Sequence, residues 1–89
     1  DALQLLQAQW RAPTKAMAYV YADVGPLTVP QTDWPAWVCD RPAPGLTVPQ
    51  YSPVLTVTAE ADTPTEAVAL CQKRQSQLTR DLRKHAAHP

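Results

Sequence analysis

The chain has 89 residues, 45% of them apolar and 18% charged, with ten prolines against two glycines and no formal net charge. A chain of this length encloses one modest core, which excludes a second domain, and it has no run near the roughly 20 consecutive apolar residues of a membrane-spanning helix. No basic-then-apolar leader precedes a small-residue cleavage site, so a soluble chain is expected; beginning at Asp1 without methionine, it is expected to be a piece of a longer protein rather than a processed product.

Asp1 is placed to cap a first helix from Ala2 to about Arg11, in which Leu3, Leu6 and Trp10 recur at intervals of three and four. Pro13 stops it, because the proline ring excludes the preceding residue from helical geometry. From Lys15 to Val24 the pattern alternates, with Ala16, Ala18, Val20, Ala22 and Val24 on one face and Met17, Tyr19, Tyr21 and Asp23 on the other, as in a strand. Gly25-Pro26 breaks it, and Leu27 to Pro35 reads as a long connection. Ala36 to Asp40 is a short strand, after which residues 41–53 hold four prolines and suit an edge or an irregular loop. Within that stretch Leu46 to Val48 either extends the short strand or pairs separately.

Val54 to Ala61 gives the clearest strand, with Leu55, Val57, Ala59 and Ala61 facing inward and Thr56, Thr58 and Glu60 facing water. Thr63, Pro64 and Glu66 then supply a cap, a proline at the first helical position and the acid of a capping box. Ala67, Leu70, Cys71, Leu78 and Leu82 mark the buried stripe of a helix running to about His85. The expected fold class is therefore α+β with the order α-β-β-β-α: a three-stranded antiparallel sheet with two helices packed on one face.

The zero net charge conceals a split. Residues 1–71 carry Arg11, Lys15 and Arg41 against Asp1, Asp23, Asp33, Asp40, Glu60, Asp62 and Glu66; residues 72–89 carry Lys73, Arg74, Arg80, Arg83 and Lys84 against Asp81 alone. A basic tail on an acidic body fits an anionic partner such as nucleic acid, and equally a solvated helix end whose cations favour the helix dipole.

No nucleophile elbow, phosphate-cradling glycine loop or H-E-x-x-H is present, and no cofactor is implied. His85 and His88 lie at a basic terminus without carboxylate neighbours, which argues against a metal site. Asp33 and Asp40 flank Trp34 and Trp37, where turn-capping explains them better than acid/base work. Cys39 and Cys71 lack zinc spacing; two buried reduced thiols are favoured over one long-range disulfide, in keeping with an intracellular setting. Tyr19, Tyr21, Trp34, Trp37 and Tyr51 form the aromatic set beyond the first helix. Cover by the proline-rich loops is the first expectation for them, protein contact the second and base stacking the third.

The order helix-strand-strand-strand-helix resembles the double-stranded-RNA-binding domain, and Leu55 through Cys71, reading LTVTAEADTPTEAVALC, looks like that family's last strand leading into its second helix. Gly25-Pro26 is similar to the family's glycine-proline turn. Where the family places phosphate-gripping lysines, this chain has Pro64, Thr65 and Glu66, and Thr28 replaces the histidine after the turn. The same strand-to-helix passage is also similar to HicB-type antitoxins, which share a three-strand-and-helix core. The resemblance implies a shared supersecondary unit rather than a shared function. The expected function is thus a non-catalytic interaction module making protein contacts through Tyr19, Tyr21, Trp34 and Trp37. The alternative is an RNA- or DNA-binding accessory domain using Lys73, Arg74, Arg80, Arg83 and Lys84.

Overall fold

The computed structural model describes residues 13–86, and the first helix expected over residues 2–11 lies outside them. The described residues form an α+β unit with a single helix. Strand β1 spans Thr14–Tyr21, β2 Leu27–Thr28, β3 Val38–Cys39, β4 Thr47–Val48 and β5 Pro53–Ala61, and helix α1 spans Pro64–Arg83. The main sheet is antiparallel with the order β1-β5-β3, so the last strand is central; β2 and β4 make a separate two-stranded ribbon.

The alternation in β1 works as its residue types dictate. Val20 is fully buried, Ala16 and Ala18 are half-buried toward the helix, and Lys15, Met17, Tyr19 and Tyr21 stand outward. The strand ends at Tyr21, short of the expected Val24. The next residue, Ala22, exchanges hydrogen bonds with the turn before β5 instead, donating to the Ser52 carbonyl and accepting from the Tyr51 amide. Gly25 is required at the turn that follows, since a Cβ there would stand 2.7 Å from Gln50 Cα.

Helix α1 begins at the signal the sequence carries. Thr63 has extended geometry and its Oγ1 accepts a hydrogen bond from the Glu66 amide, with Pro64 at the first helical position. Ala67, Cys71, Leu78 and Leu82 are buried against the sheet, and Leu70 is half-buried. Full burial of each leucine side chain contributes about 1.5–3 kcal/mol. The core they close contains Val20, Leu55, Val57 and Ala59 of the sheet and Val38 of β3, and it continues under the ribbon through Leu27, Val29 and Val48.

The ribbon corrects the reading of residues 27–35 as a plain connection. Leu27 pairs with Val48 and Thr28 with Thr47, and the last turn of the helix docks there: the Thr28 amide donates to the His85 carbonyl over 3.1 Å. Thr56 corrects the expectation of a wet outer row on β5. It is only 2% exposed, because Asp40 turns back from the end of β3 with a positive φ of 51° and its Oδ2 accepts from Thr56 Oγ1 at 2.9 Å. No described helix is long and apolar enough to cross a membrane.

Candidate functional site

The two edges of the main sheet differ in what covers them. At the β3 edge, the Trp37 carbonyl points toward β5 and accepts from the Thr58 amide, so Val38 directs its own backbone groups outward. Both are already taken. The Val38 amide donates to the Pro35 carbonyl at 3.0 Å, and Arg41 folds back so that its Nε donates to the Val38 carbonyl at 3.2 Å and its Nη2 to the Pro35 carbonyl at 3.1 Å. Pro42 and Pro44 follow. This edge is short, capped and proline-flanked, the usual protection against strand pairing.

The β1 edge has little of that protection. Ala22 bonds inward, toward the segment leading into β5, whereas the Tyr19 carbonyl accepts from Gln75 Nε2 of α1 at 2.7 Å on the open side. Since successive residues of an antiparallel strand point their backbone groups alternately to its two sides, Lys15, Met17 and Tyr21 share the orientation of Tyr19. Four consecutive outward positions therefore line an edge with no proline within it, and among the described residues no strand pairs with it.

Above this edge the exposed side chains are apolar and aromatic. Met17 is 64% exposed, Tyr19 60% and Tyr21 48%, the two tyrosine rings meeting edge to face with centroids 6.4 Å apart. The proline-rich loops do not cover these tyrosines, contrary to the first expectation, because those loops are tied to β3 and the ribbon. Beside the edge runs a groove lined by Tyr19, Tyr21, Asp23, Gln75, Ser76 and Thr79, closed at one end by Arg80 and Arg83. Val68 and Gln72 continue the same flank of the helix, and Val68 is itself exposed. From Thr65 through Thr79 the residues of this flank are uncharged.

Arg80 and Arg83 mark the end of the neutral surface, and Arg83 is the one that is paired. Its Nε donates to Asp23 Oδ2 at 2.6 Å and its Nη2 also reaches that oxygen. The hydrogen bond from Arg83 holds the Asp23 carboxyl below its ordinary value of 3.8 against the opposing effect of burial, with the Arg83 charge adding to the hydrogen bond, and the Arg83 guanidinium is raised in turn.

Trp34 and Trp37 are half-buried against the core, away from the tyrosines. The four aromatics expected to act together thus occupy two places. Trp34 lines a depression of about 310 Å³ with Pro30, Asp33, Leu78, Asp81 and His85. Trp37 lies under Arg74, whose Cζ is 4.9 Å from the ring centroid while its Nη1 donates to the Thr58 carbonyl at 2.8 Å. Of the five basic residues, Arg74 is half-buried in this contact and Arg83 is paired with Asp23. Lys73, Arg80 and Lys84 are exposed and fall on one stripe of the helix, with Lys84 also 4.0 Å from Asp81.

Asp33 and Asp40 line different depressions and form no carboxylate pair. Both cysteines are free. Cys71 is buried with its Sγ 3.9 Å from the Val57 carbonyl, whereas Cys39 is exposed, correcting the expectation of two buried thiols. Their separation follows from register: Cys39 is opposite Thr56 on the outer face, and Cys71 packs on the inner one. Among the described residues no group of three His, Cys, Asp or Glu is placed to hold a metal ion; His88 lies outside them.

Sequence reasoning named Tyr19 and Tyr21 but passed over Met17, which the period-two pattern places in the same row, and Gln75, whose contact spans 56 residues and leaves no local signal. No protein-family model matches the chain, and neither a curated protein nor a solved structure matches it.

Proposed function

We propose that the chain is a non-catalytic interaction module that makes protein contacts in a larger protein or assembly, through the outer face and open edge of β1. The observation that carries this reading is the contiguous exposure of Met17, Tyr19 and Tyr21 beside a helix flank that carries no charge from Thr65 through Thr79. Interface centres are depleted in charged residues and enriched in tyrosine and methionine, and charged groups gather at the rim, as Lys15 and Arg83 do here. Buried tyrosines are also frequent anchors of binding energy.

The test compares the full chain with a Tyr19→Lys/Tyr21→Lys variant, each checked for folding by circular dichroism, for association with any protein in source-cell lysate, its own copies included. Association that the substitution abolishes is the expected result. The same proteins retained by both forms, or none by either, overturns the proposal.

One observation favours a second reading, in which the stripe of Lys73, Arg80 and Lys84 meets phosphates. Three such contacts predict a log-log salt slope of about −2.7 on duplex DNA. A labelled-duplex titration at two salt concentrations decides: steep salt dependence lost on reversing these three charges supports nucleic acid, and no binding at low salt removes it.

A further inference from the structure

We propose that the open edge of β1 pairs antiparallel with the β1 edge of a second copy of this chain, about a two-fold axis at Ala18. The inference rests on the protein-contact reading of that face and specifies its partner and geometry.

The backbone restricts pairing to registers that set outward positions opposite outward positions, and pairing about Ala18 is the one that engages all four. Lys15, Met17, Tyr19 and Tyr21 direct their amides and carbonyls to the open side, and residues 15–21 are symmetric about Ala18. Antiparallel pairing about that residue sets Lys15 opposite the partner's Tyr21 and Met17 opposite the partner's Tyr19, so every outward position of one copy meets an outward position of the other. A one-residue slip brings outward positions against inward ones and is excluded by the ladder to β5.

The side chains agree with this register. Lys15 is the only charged residue in the strand, and the arrangement places it over a tyrosine ring instead of against the other lysine. Met17 packs on Tyr19, a favourable sulfur–aromatic pair. The inward residues nearest the axis, Ala16 and Ala18, are small and leave room for the two helices to approach along Val68, Gln72 and Ser76. Repulsion is low there because that flank carries no charge from Thr65 through Thr79; of the two arginines that close it, Arg83 is met by Asp23 and Arg80 is exposed. The contact between Gln75 and Tyr19 is exposed and yields its acceptor to the incoming Met17 amide, so no carbonyl is left unpaired.

The competing edge offers no equivalent, since both outward groups of Val38 are satisfied within the chain. The choice of β1 thus follows from the difference between two edges of one sheet.

Sedimentation velocity on the full chain, from micromolar to millimolar concentration, provides the first test. A monomer–dimer equilibrium is expected, weakened at least tenfold by Tyr19→Lys. A strictly monomeric wild type overturns the inference, and if lysate proteins are still captured through Tyr19 and Tyr21, the protein-contact reading survives it. The register is tested in a Cys39→Ser background. Ala18→Cys is expected to give a disulfide-linked dimer on mild oxidation, because residues at the axis of such a pair stand about 4.5 Å apart at Cα, within disulfide reach. Lys15→Cys, six positions from its own counterpart in this register, is expected to remain uncoupled. Dimerisation with ready Lys15→Cys coupling and no Ala18→Cys coupling refutes the register proposed.

Discussion

Replacing Arg74 with alanine separates a structural cation from a phosphate contact. The side chain donates to the Thr58 carbonyl at 2.8 Å and lies 4.9 Å from the Trp37 ring centroid, while Thr58 grips the Trp37 carbonyl through its amide at 2.9 Å and its hydroxyl at 3.1 Å. The three residues thus fasten the middle of α1 to the junction of β3 and β5. A hydrogen bond from a charged donor contributes about 1.5–3 kcal/mol net, and partial exposure places this one at the lower end. The stacking on Trp37 adds about 0.5–1 kcal/mol. A loss of about 2 kcal/mol is therefore expected for Arg74→Ala, and in a domain of this size each kcal/mol moves the melting temperature by roughly 4–8 °C. The predicted fall is on the order of 10 °C, read by circular dichroism and by tryptophan fluorescence in urea. Arg74→Lys keeps the charge but not the planar stack, and is expected to recover about half of the loss. If Arg74→Ala melts within about 2 °C of the wild type, the fastening role is refuted on the same scale.

The cysteines give a second expectation: in the native protein a thiol reagent labels Cys39 rapidly and Cys71 only on unfolding, so two fast thiols, or none, contradict the burial of one and exposure of the other. Gly25→Ala forces a Cβ to within 2.7 Å of Gln50 Cα, where backbone has to shift, and is expected to cost about 1–3 kcal/mol as a lower urea midpoint. An unchanged midpoint shows that the turn adapts freely. Asp23 gives a pH dependence whose sign is fixed by its lowered pKa. Its pairing with Arg83 stabilises the fold above the unfolded carboxylate value of 3.8 and is lost as pH falls through the lower folded value. The stability difference between wild type and Asp23→Asn is accordingly expected to be constant near neutrality and to vanish in acid. A difference that grows on acidification counts against the pair.

What the sequence made legible was local. The helix start is encoded within four residues, Thr63 to Glu66, and its buried stripe and the inward row of β5 follow from simple periodicities. The ribbon escaped notice because strands of two residues have no period to read, and its pairing joins segments some twenty positions apart. Thr56 was misjudged for a related reason: alternation predicts which face a residue occupies, and a chain returning with a positive φ at Asp40 decides whether that face is wet. The tyrosine row of the candidate site was visible in the alternation of β1. Its exposure was not, since that depends on where the proline-rich loops are tied down. The split of the basic residues into bound and free members likewise depends on partners, Asp23 and Trp37, that lie far away in sequence.

The folding back of Arg41 onto Val38 and Pro35 has a consequence for how any assembly ends. A sheet with two receptive rims is a template that each added copy renews, and such growth leads to fibres. Here one rim is sealed by the chain's own guanidinium, so a strand that joins at β1 leaves no fresh docking place on the main sheet behind it. If β1 pairs as proposed, growth by strand pairing on the main sheet stops with the first addition, because Arg41 occupies the carbonyls a further strand would need.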